Sequence, residues 1–179
     1  MNVMAPAWQI RLEAPQDAAS VEALNAQSFG PGRFAKSAYR LREGVHPVSS
    51  LSFVAVEHTI LRGSVRFWPV MVGAEKALLL GPLAVESNQR GRGIGIALMN
   101  KGIEDARTAG VGAIVPVGDE PYYGRVGFKR VPHGSVKFPG PVDPARVLAL
   151  TLKDGVTLSG PIRRARINDP LAADGAALG

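Results

Sequence analysis

Residues 78–98 read LLLGPLAVESNQRGRGIGIAL, and the reading of this stretch decides the fold. Leu78 to Val85 is apolar and rich in Leu and Val, which fits a buried strand. A short polar break then meets a basic, glycine-dense turn, Gln89-Arg90-Gly91-Arg92-Gly93-Ile94-Gly95. Past the turn, Ile96, Met99, Ile103 and Ala106 fall at helical spacing, and Gly110 offers a left-handed stop. The chain therefore runs from a strand through a bare-backbone turn into a helix. Such a turn presents unpaired N–H groups and the positive end of the helix dipole to whatever lies in front of it. Glycine lets a ligand approach the backbone closely, and Arg90 and Arg92 add charge suited to phosphate oxygens. The expectation is a pyrophosphate cradle on Arg90, Gly91, Arg92, Gly93, Ile94 and Gly95.

Glycines between a strand and a helix can also serve only as a tight turn, and two arginines can be a solvated face. A dinucleotide fingerprint fits worse. Counted from Gly91 or Gly93, its third small position falls on Ile96 or Leu98, and some eighty residues precede the loop. The Lys-Ser/Thr pair of a P-loop is missing.

The next segments favour a ligand. Val111 to Val117 is a short apolar run able to return parallel to the first strand. Gly118-Asp119-Glu120-Pro121-Tyr122-Tyr123-Gly124-Arg125-Val126-Gly127-Phe128 follows. Together these residues resemble the GNAT superfamily of acetyl-CoA-dependent N-acetyltransferases. Arg90, Gly93 and Gly95 match its R/Q-x-x-G-x-G/A signature, and Tyr122, Tyr123, Gly127 and Phe128 match its later aromatic-Tyr-x-x-x-Gly-Phe. The wording around the two tyrosines is similar to the bacterial YhbS-like branch. Ile10-Arg11 followed by Pro15-Gln16-Asp17 resembles the usual opening, so the likeness covers about Gln9 to Leu152.

The resemblance implies an α/β fold: a mostly antiparallel mixed sheet of six or seven strands, flanked by helices, with the strands at Leu78–Val85 and Val111–Val117 parallel and splayed. Gly81-Pro82 inside the first of them points independently to a bulge, since proline cannot donate to a ladder and glycine weakens one. On the family pattern the opening admits the pantetheine arm of acetyl-CoA, with Leu83 and Val85 supplying backbone contacts. Tyr123 is then the proton donor to the departing sulfur. Its phenol, with an ordinary pKa of about 10, is protonated at neutral pH. Tyr122 is the better candidate for packing. Many relatives carry a glutamate about four residues before the Leu83 position, and here that place is Leu79. Glu57, His58, Glu86, Asp119 and Glu120 are the alternatives for a base. Asp119 is preferred for its place near Tyr123, although an aspartate before a proline-led helix is often a cap.

Bulk properties fit one soluble domain over residues 1–168, with 169–179 a mobile tail poor in large apolar groups. The 179 residues are 46% hydrophobic, enough for a single core. Without cysteine there is no disulfide, thiolate nucleophile or thiolate metal site, and no metal is expected. Met1 to Pro6 lacks the features of a signal peptide and no apolar run has membrane-spanning length, so a cytoplasmic protein with no membrane contact is expected. A net charge of +6 suits an anionic partner. Nucleic acid is not expected: the basic residues are dispersed, and Arg163-Arg164-Ala165-Arg166, the one dense cluster, reads as a solvated tail feature. His46 and His133 read as surface groups.

The pattern further predicts a strand at Trp8–Leu12, a helix after Pro15, and a second helix from Arg33 to about Arg42. Strands at Ser52–Val56 and Arg62–Val72 form a hairpin, and a final strand lies near Val147–Leu150. The leading function is acetyl transfer to a primary amine of a small molecule or peptide. Transfer of a longer acyl chain, from acyl-CoA or an acidic acyl carrier protein, and a non-enzymatic acyl-CoA-binding module are the alternatives. The acceptor is unknown, and a second copy of the chain stays open as a partner.

Overall fold

The computed structural model describes Met4 and residues 7–165, and the expected tail at 169–179 lies outside the described residues. Strands β1 (Trp8–Leu12), β2 (Phe53–Glu57), β3 (Ile60–Val72) and β4 (Glu75–Val85) form an antiparallel meander. Helix α1 (Ala18–Phe29) and the single-turn helix α2 (Ser37–Arg40) lie between β1 and β2. Helix α3 (Ile94–Thr108) carries the chain to β5 (Ala113–Val115), which pairs parallel to β4 through Leu78–Ile114 and Leu79–Val115. The short helix α4 (Glu120–Tyr123) leads to β6 (Lys129–Arg130), β7 (Val136–Lys137), β8 (Leu148–Thr151) and β9 (Gly160–Arg164). The sheet order is β1-β2-β3-β4-β5-β8-β6, with β9 joining β3 to β7.

The Leu-Leu-Leu run of β4 is apolar throughout because both faces of the sheet are covered. Leu78 and Leu80 point into one core with Phe67, Ile114 and Phe128, which α3 closes with Ile94, Leu98, Met99, Ile103 and Ala106. Leu79 and Ala77 point to the other, with Trp68, Val70, Val115 and Leu41. Gly102 lets α3 approach closely, since a Cβ there would overlap the Phe67 ring. Gly110 ends that helix region with φ of 82°.

The expected mixed sheet, mostly antiparallel with one parallel central pair, is the observed one. Its strand count is nine among the described residues rather than six or seven. Three differences have clear causes. The predicted helix from Arg33 is split into a 3₁₀ turn at Pro31–Ala35 and the four-residue α2, because Lys36 is extended at φ −71°, ψ 141°. The run at Val111–Val117 is a strand only from Ala113 to Val115, with Pro116 interrupting the ladder before a lone bridge from Val117 to Val147. The strand near Val147–Leu150 is not the last. Arg163 and Arg164, read as part of a solvated cluster, lie on β9 against Met71 and Val70 of β3, and Arg166 lies outside the described residues. Gly160-Pro161 at its start looks like a loop in sequence, yet Pro at a strand's first positions is tolerated.

Asp17 fastens the β1–α1 corner. Its carboxylate accepts from Arg11 Nη1 and Nη2 at 2.7 and 2.9 Å and from the Ala14 N–H at 2.7 Å. The Arg11 hydrogen bonds, with the Ala14 amide beside them, hold the carboxyl below its usual range. A carboxyl depressed in the folded state adds stability above its unfolded pKa and loses it as pH falls through the folded one. Asp17→Asn should therefore cost about 1–2 kcal/mol at pH 7 in urea denaturation, with the gap between parent and variant closing below about pH 4.

Candidate active site

The site begins where β4 parts from β5. On the β3 side the register runs Val65–Leu83 and then Phe67–Leu80, so Gly81 and Pro82 together oppose Arg66 alone. This one-residue excess is the bulge expected from Gly81-Pro82, whose peptide is cis. Trp68 Nε1 donates to the Gly81 C=O at 2.5 Å and fixes the kink from the neighbouring strand. Beyond Leu79 no residue of β5 pairs with β4, although β3 follows it to Val85. The β5-facing edge of Leu80–Val85 is thereby left open.

A cavity of about 810 Å³ fills the gap. Leu83 and Val85 line it, as do Gln89 to Gly91 and Gly93 to Ile96 at the mouth of α3. Tyr122 and Tyr123 form a third wall. Residues between Phe29 and Arg42, with Pro141 to Arg146, close the opposite end. The two closing segments are tied together by Ser37 Oγ, which donates to the Pro141 C=O at 2.6 Å.

The glycine turn takes the shape its residues allow. Gly91 and Gly93 have φ of 84° and 80°, a region that disfavours side chains, and space in front of both is open. The first helical bond of α3 is from Ala97 N–H to the Gly93 C=O at 3.0 Å. The N–H groups of Ile94, Gly95 and Ile96 have no backbone acceptor, and they sit at the positive end of a fifteen-residue helix. These amides can hold a phosphate-bearing ligand. The two arginines diverge. Arg90 is exposed, whereas Arg92 donates to Glu57 at 2.7 Å and to Gln89. Its guanidinium is thus engaged with the β2–β3 turn, and its backbone is what remains for a ligand.

Both tyrosines depend on glycine. A Cβ on Gly118 would overlap the Tyr123 ring, and one on Gly95 would overlap the Tyr122 hydroxyl. Tyr123 is wedged edge-on between Tyr122 and Phe128, with ring centroids 5.5 and 5.9 Å away. Burial, reinforced by the neighbouring Tyr122 phenol, pushes its pKa up to about 12, despite the opposing charges of Arg146 and Arg42. The phenol is therefore held in its protonated form. Both rings pack on the core, and Tyr123, not Tyr122 as expected, is the more deeply buried, while the Tyr122 hydroxyl reaches the mouth of α3.

Residues 18–128, which contain the bulged strand, the glycine turn and the tyrosines, match the family model described as "Acetyltransferase (GNAT) family". The chain belongs to the GNAT acetyltransferase family. It is 34% identical over 130 residues to an uncharacterized N-acetyltransferase, YhbS, of Escherichia coli K12, spanning 72% of this chain and 77% of that relative. A crystal structure of E. coli YhbS in complex with CoA superposes with a TM-score of 0.75 at 29% identity, over 92% of this chain and 93% of that one. A GNAT acetyltransferase from Brucella melitensis in complex with acetyl-CoA gives 0.66 at 27% identity, over 88% and 96%. The chain is thus an N-acetyltransferase whose neighbours bind CoA or acetyl-CoA.

For a GNAT enzyme the acids are sparse. Leu79, where the resemblance would place a glutamate, is fully buried in the core away from α3. Glu57 and Glu86 both accept from Arg62, at 3.2 and 2.9 Å. Glu120 accepts from the Arg130 N–H at 2.9 Å. Asp119 alone among the five alternatives lines the cavity. It does not cap α4 with its side chain, which is 76% exposed and 3.9 Å from Arg146. Arg42, Arg146 and Asp143 also line the cavity, and the sequence reading passed over all three. No motif marks them; Pro-Val-Asp-Pro at 141–144 was the nearest signal, with Asp143 capping the turn through the Ala145 N–H at 2.9 Å. Among the described residues no group of His, Asp and Glu is placed to hold a metal ion, and no helix is long and apolar enough to cross a membrane.

Gly93→Val forces a branched side chain into positive φ at the mouth of α3 and should disturb at least two of its free amides. Hydrogen bonds to a charged group are worth roughly 1.5–3 kcal/mol each, so calorimetry should show coenzyme A affinity reduced at least tens-fold. Arg164→Ala, whose side chain donates to the Glu43 C=O, should bind as the parent does.

Proposed function

We propose that this enzyme moves an acetyl group from acetyl-CoA directly to a primary amine of a small molecule or peptide. The observation that carries the reading is the convergence, on one cavity, of an opened β4 edge, the free amides of α3 and a buried, protonated phenol. The amides of residues 90–95 hold the pyrophosphate, with Arg90 adding charge. The free backbone edge at Leu83 and Val85 takes the pantetheine arm as a strand takes a neighbour. Acetyl-CoA supplies a thioester, a reactive acyl donor with a thiolate leaving group.

Transfer requires a C–N bond to form as the C–S bond breaks. Tyr123 donates its phenolic proton to the leaving sulfur, and the backbone N–H at Leu83 steadies the oxyanion that develops on the carbonyl. Asp119, open to solvent at the cavity edge, receives the proton that the amine must lose. Asp119 then releases that proton to solvent and Tyr123, left as phenolate, takes one back from solvent, which closes the cycle without a covalent enzyme intermediate. The absence of cysteine from the sequence accords with this direct route.

Tyr123→Phe keeps the ring wedged on Gly118 and removes only the hydroxyl. It should lower kcat by about 10²-fold with acetyl-CoA affinity nearly intact, because the hydroxyl matters as charge develops on sulfur. Thiol release against an amine panel measures the first and calorimetry the second; parental kcat would remove Tyr123 from the mechanism.

The pH profile gives a separate check. A phenol at its ordinary value near 10 would halve the rate at pH 10. Since burial raises Tyr123 to about 12, kcat should show no alkaline descent up to pH 10. A falling limb centred near that pH would count against the buried acid.

A further inference from the structure

Arg42, just past α2, is a largely buried guanidinium with no anion among the described residues to meet it. Its Nε is sealed from solvent and donates to nothing. Among the described residues no carbonyl or carboxylate accepts from its other nitrogens. The side chain is nonetheless placed with care. It packs over the Trp68 ring, 5.9 Å from the centroid, and its Nη2 lies 3.0 Å from where a Cβ on Gly81 would stand. It therefore sits beside the bulge and lines the cavity.

The charges around it do not compensate. The groups that act on it are the phenols of Tyr123 and Tyr39 and the like charge of Arg66. Nearby carboxylates are taken: Glu13 is bidentate to Arg66 at 2.9 and 2.5 Å, and Glu22 accepts from Arg33 at 2.8 Å. Burial accordingly lowers the Arg42 pKa to about 10. A buried, unpaired charge is costly, and a protein keeps one where a ligand completes it.

The coenzyme's phosphates are poorly placed to be that ligand. The α3 mouth lies beyond Val85, and Gly81 is four residues earlier on β4, roughly 10–13 Å back along the strand. Arg42 stands at the other end of the cavity, beside the segments 29–42 and 141–146, where Lys36 and Arg146 add positive charge against Asp119 and Asp143.

We propose that Arg42 binds an anionic group, a carboxylate or a phosphate, on the amine that enters this end of the cavity, so that the acceptor class is small primary amines bearing such an anion. This rests on the acetyl-transfer reading, and it concerns recognition rather than the chemical step. Guanidinium suits both anions through its planar fork.

The test uses matched acceptors with the full chain and acetyl-CoA: 4-aminobutyrate against butylamine, and phosphoethanolamine against ethanolamine. At least one anionic member should exceed its neutral partner in kcat/KM by at least about tenfold. The arm that shows the preference tells carboxylate from phosphate. In Arg42→Met that preference should vanish through KM, and Arg42→Lys should restore part of it. Calorimetry without turnover adds a second readout. N-Acetyl-4-aminobutyrate or N-acetylphosphoethanolamine should bind the parent at least about tenfold more tightly than Arg42→Met, while N-butylacetamide should not distinguish the two. Arg42→Met should also melt no lower than the parent, since it removes an uncompensated buried charge.

If no amine yields thiol but the anionic product still binds through Arg42, acetyl transfer to these amines fails while the anion site stands. Equal use of both members of each pair, or a preference that survives Arg42→Met, overturns the proposal. So does loss of acetyl-CoA affinity in Arg42→Met, which would give the residue to the coenzyme. A lower melting temperature with anion binding unchanged would make it a structural arginine and overturn the proposal equally.

Discussion

Everything that gives this molecule a site follows from two residues of β4 standing opposite one of β3. The excess at Gly81-Pro82 turns β4 aside just where Pro116 ends β5, so the parallel pairing begun at Leu78 and Leu79 goes no further. Backbone polar groups near the middle of the domain are thereby left without a strand to satisfy them. Such groups are costly to bury unpaired, so the gap must hold water or a ligand. The Trp68 indole, bonded to the Gly81 carbonyl, keeps the kink in one place. That the same indole also supports Arg42 means that the splay and the far wall of the cavity share a single side chain.

Around this opening the charges are distributed unevenly. Glu57 and Glu86 converge on Arg62, and Glu57 also engages Arg92, which joins the β2–β3 turn to the segment preceding α3. This ionic cluster steadies the approach to the helix mouth from outside, while the amides inside stay free. Helix-end amides are neutral donors and bring no counter-charge of their own, so they stabilise an anion without attracting a carboxylate from the protein. The other end of the cavity relies instead on full charges.

The elements that sequence made legible are those with local, periodic causes. The Leu78–Val85 run, the glycine turn, the stripe of α3 and the tyrosine motif are each written in one short continuous stretch of chain. Strand β9 was illegible because only Ile162 in it is deeply buried, and its pairing with Val70–Val72 spans some ninety residues. The short α2 was overextended because Lys36 breaks a pattern that reads as continuous. Arg42 is a single cation whose meaning depends on what is missing nearby, and no spacing rule registers a missing partner. The engagement of Arg92 with Glu57 is likewise a long-range pairing, which a motif read along the chain treats as a free charge.

The seats of the two tyrosines carry a consequence for how such a chain can change. Gly95 and Gly118 are vacant of side chain because the Tyr122 hydroxyl and the Tyr123 ring occupy that volume. Each ring and its glycine form a matched pair with a fixed total volume, one partner on α3 or in the loop after β5 and the other on α4. A methyl group gained at either glycine is compatible with the fold only if the paired ring shrinks or moves. Among divergent homologues, these positions should therefore vary together or not at all: Gly95 with Tyr122, and Gly118 with Tyr123. A designer altering the pocket faces the same coupling, and must change both partners in one step.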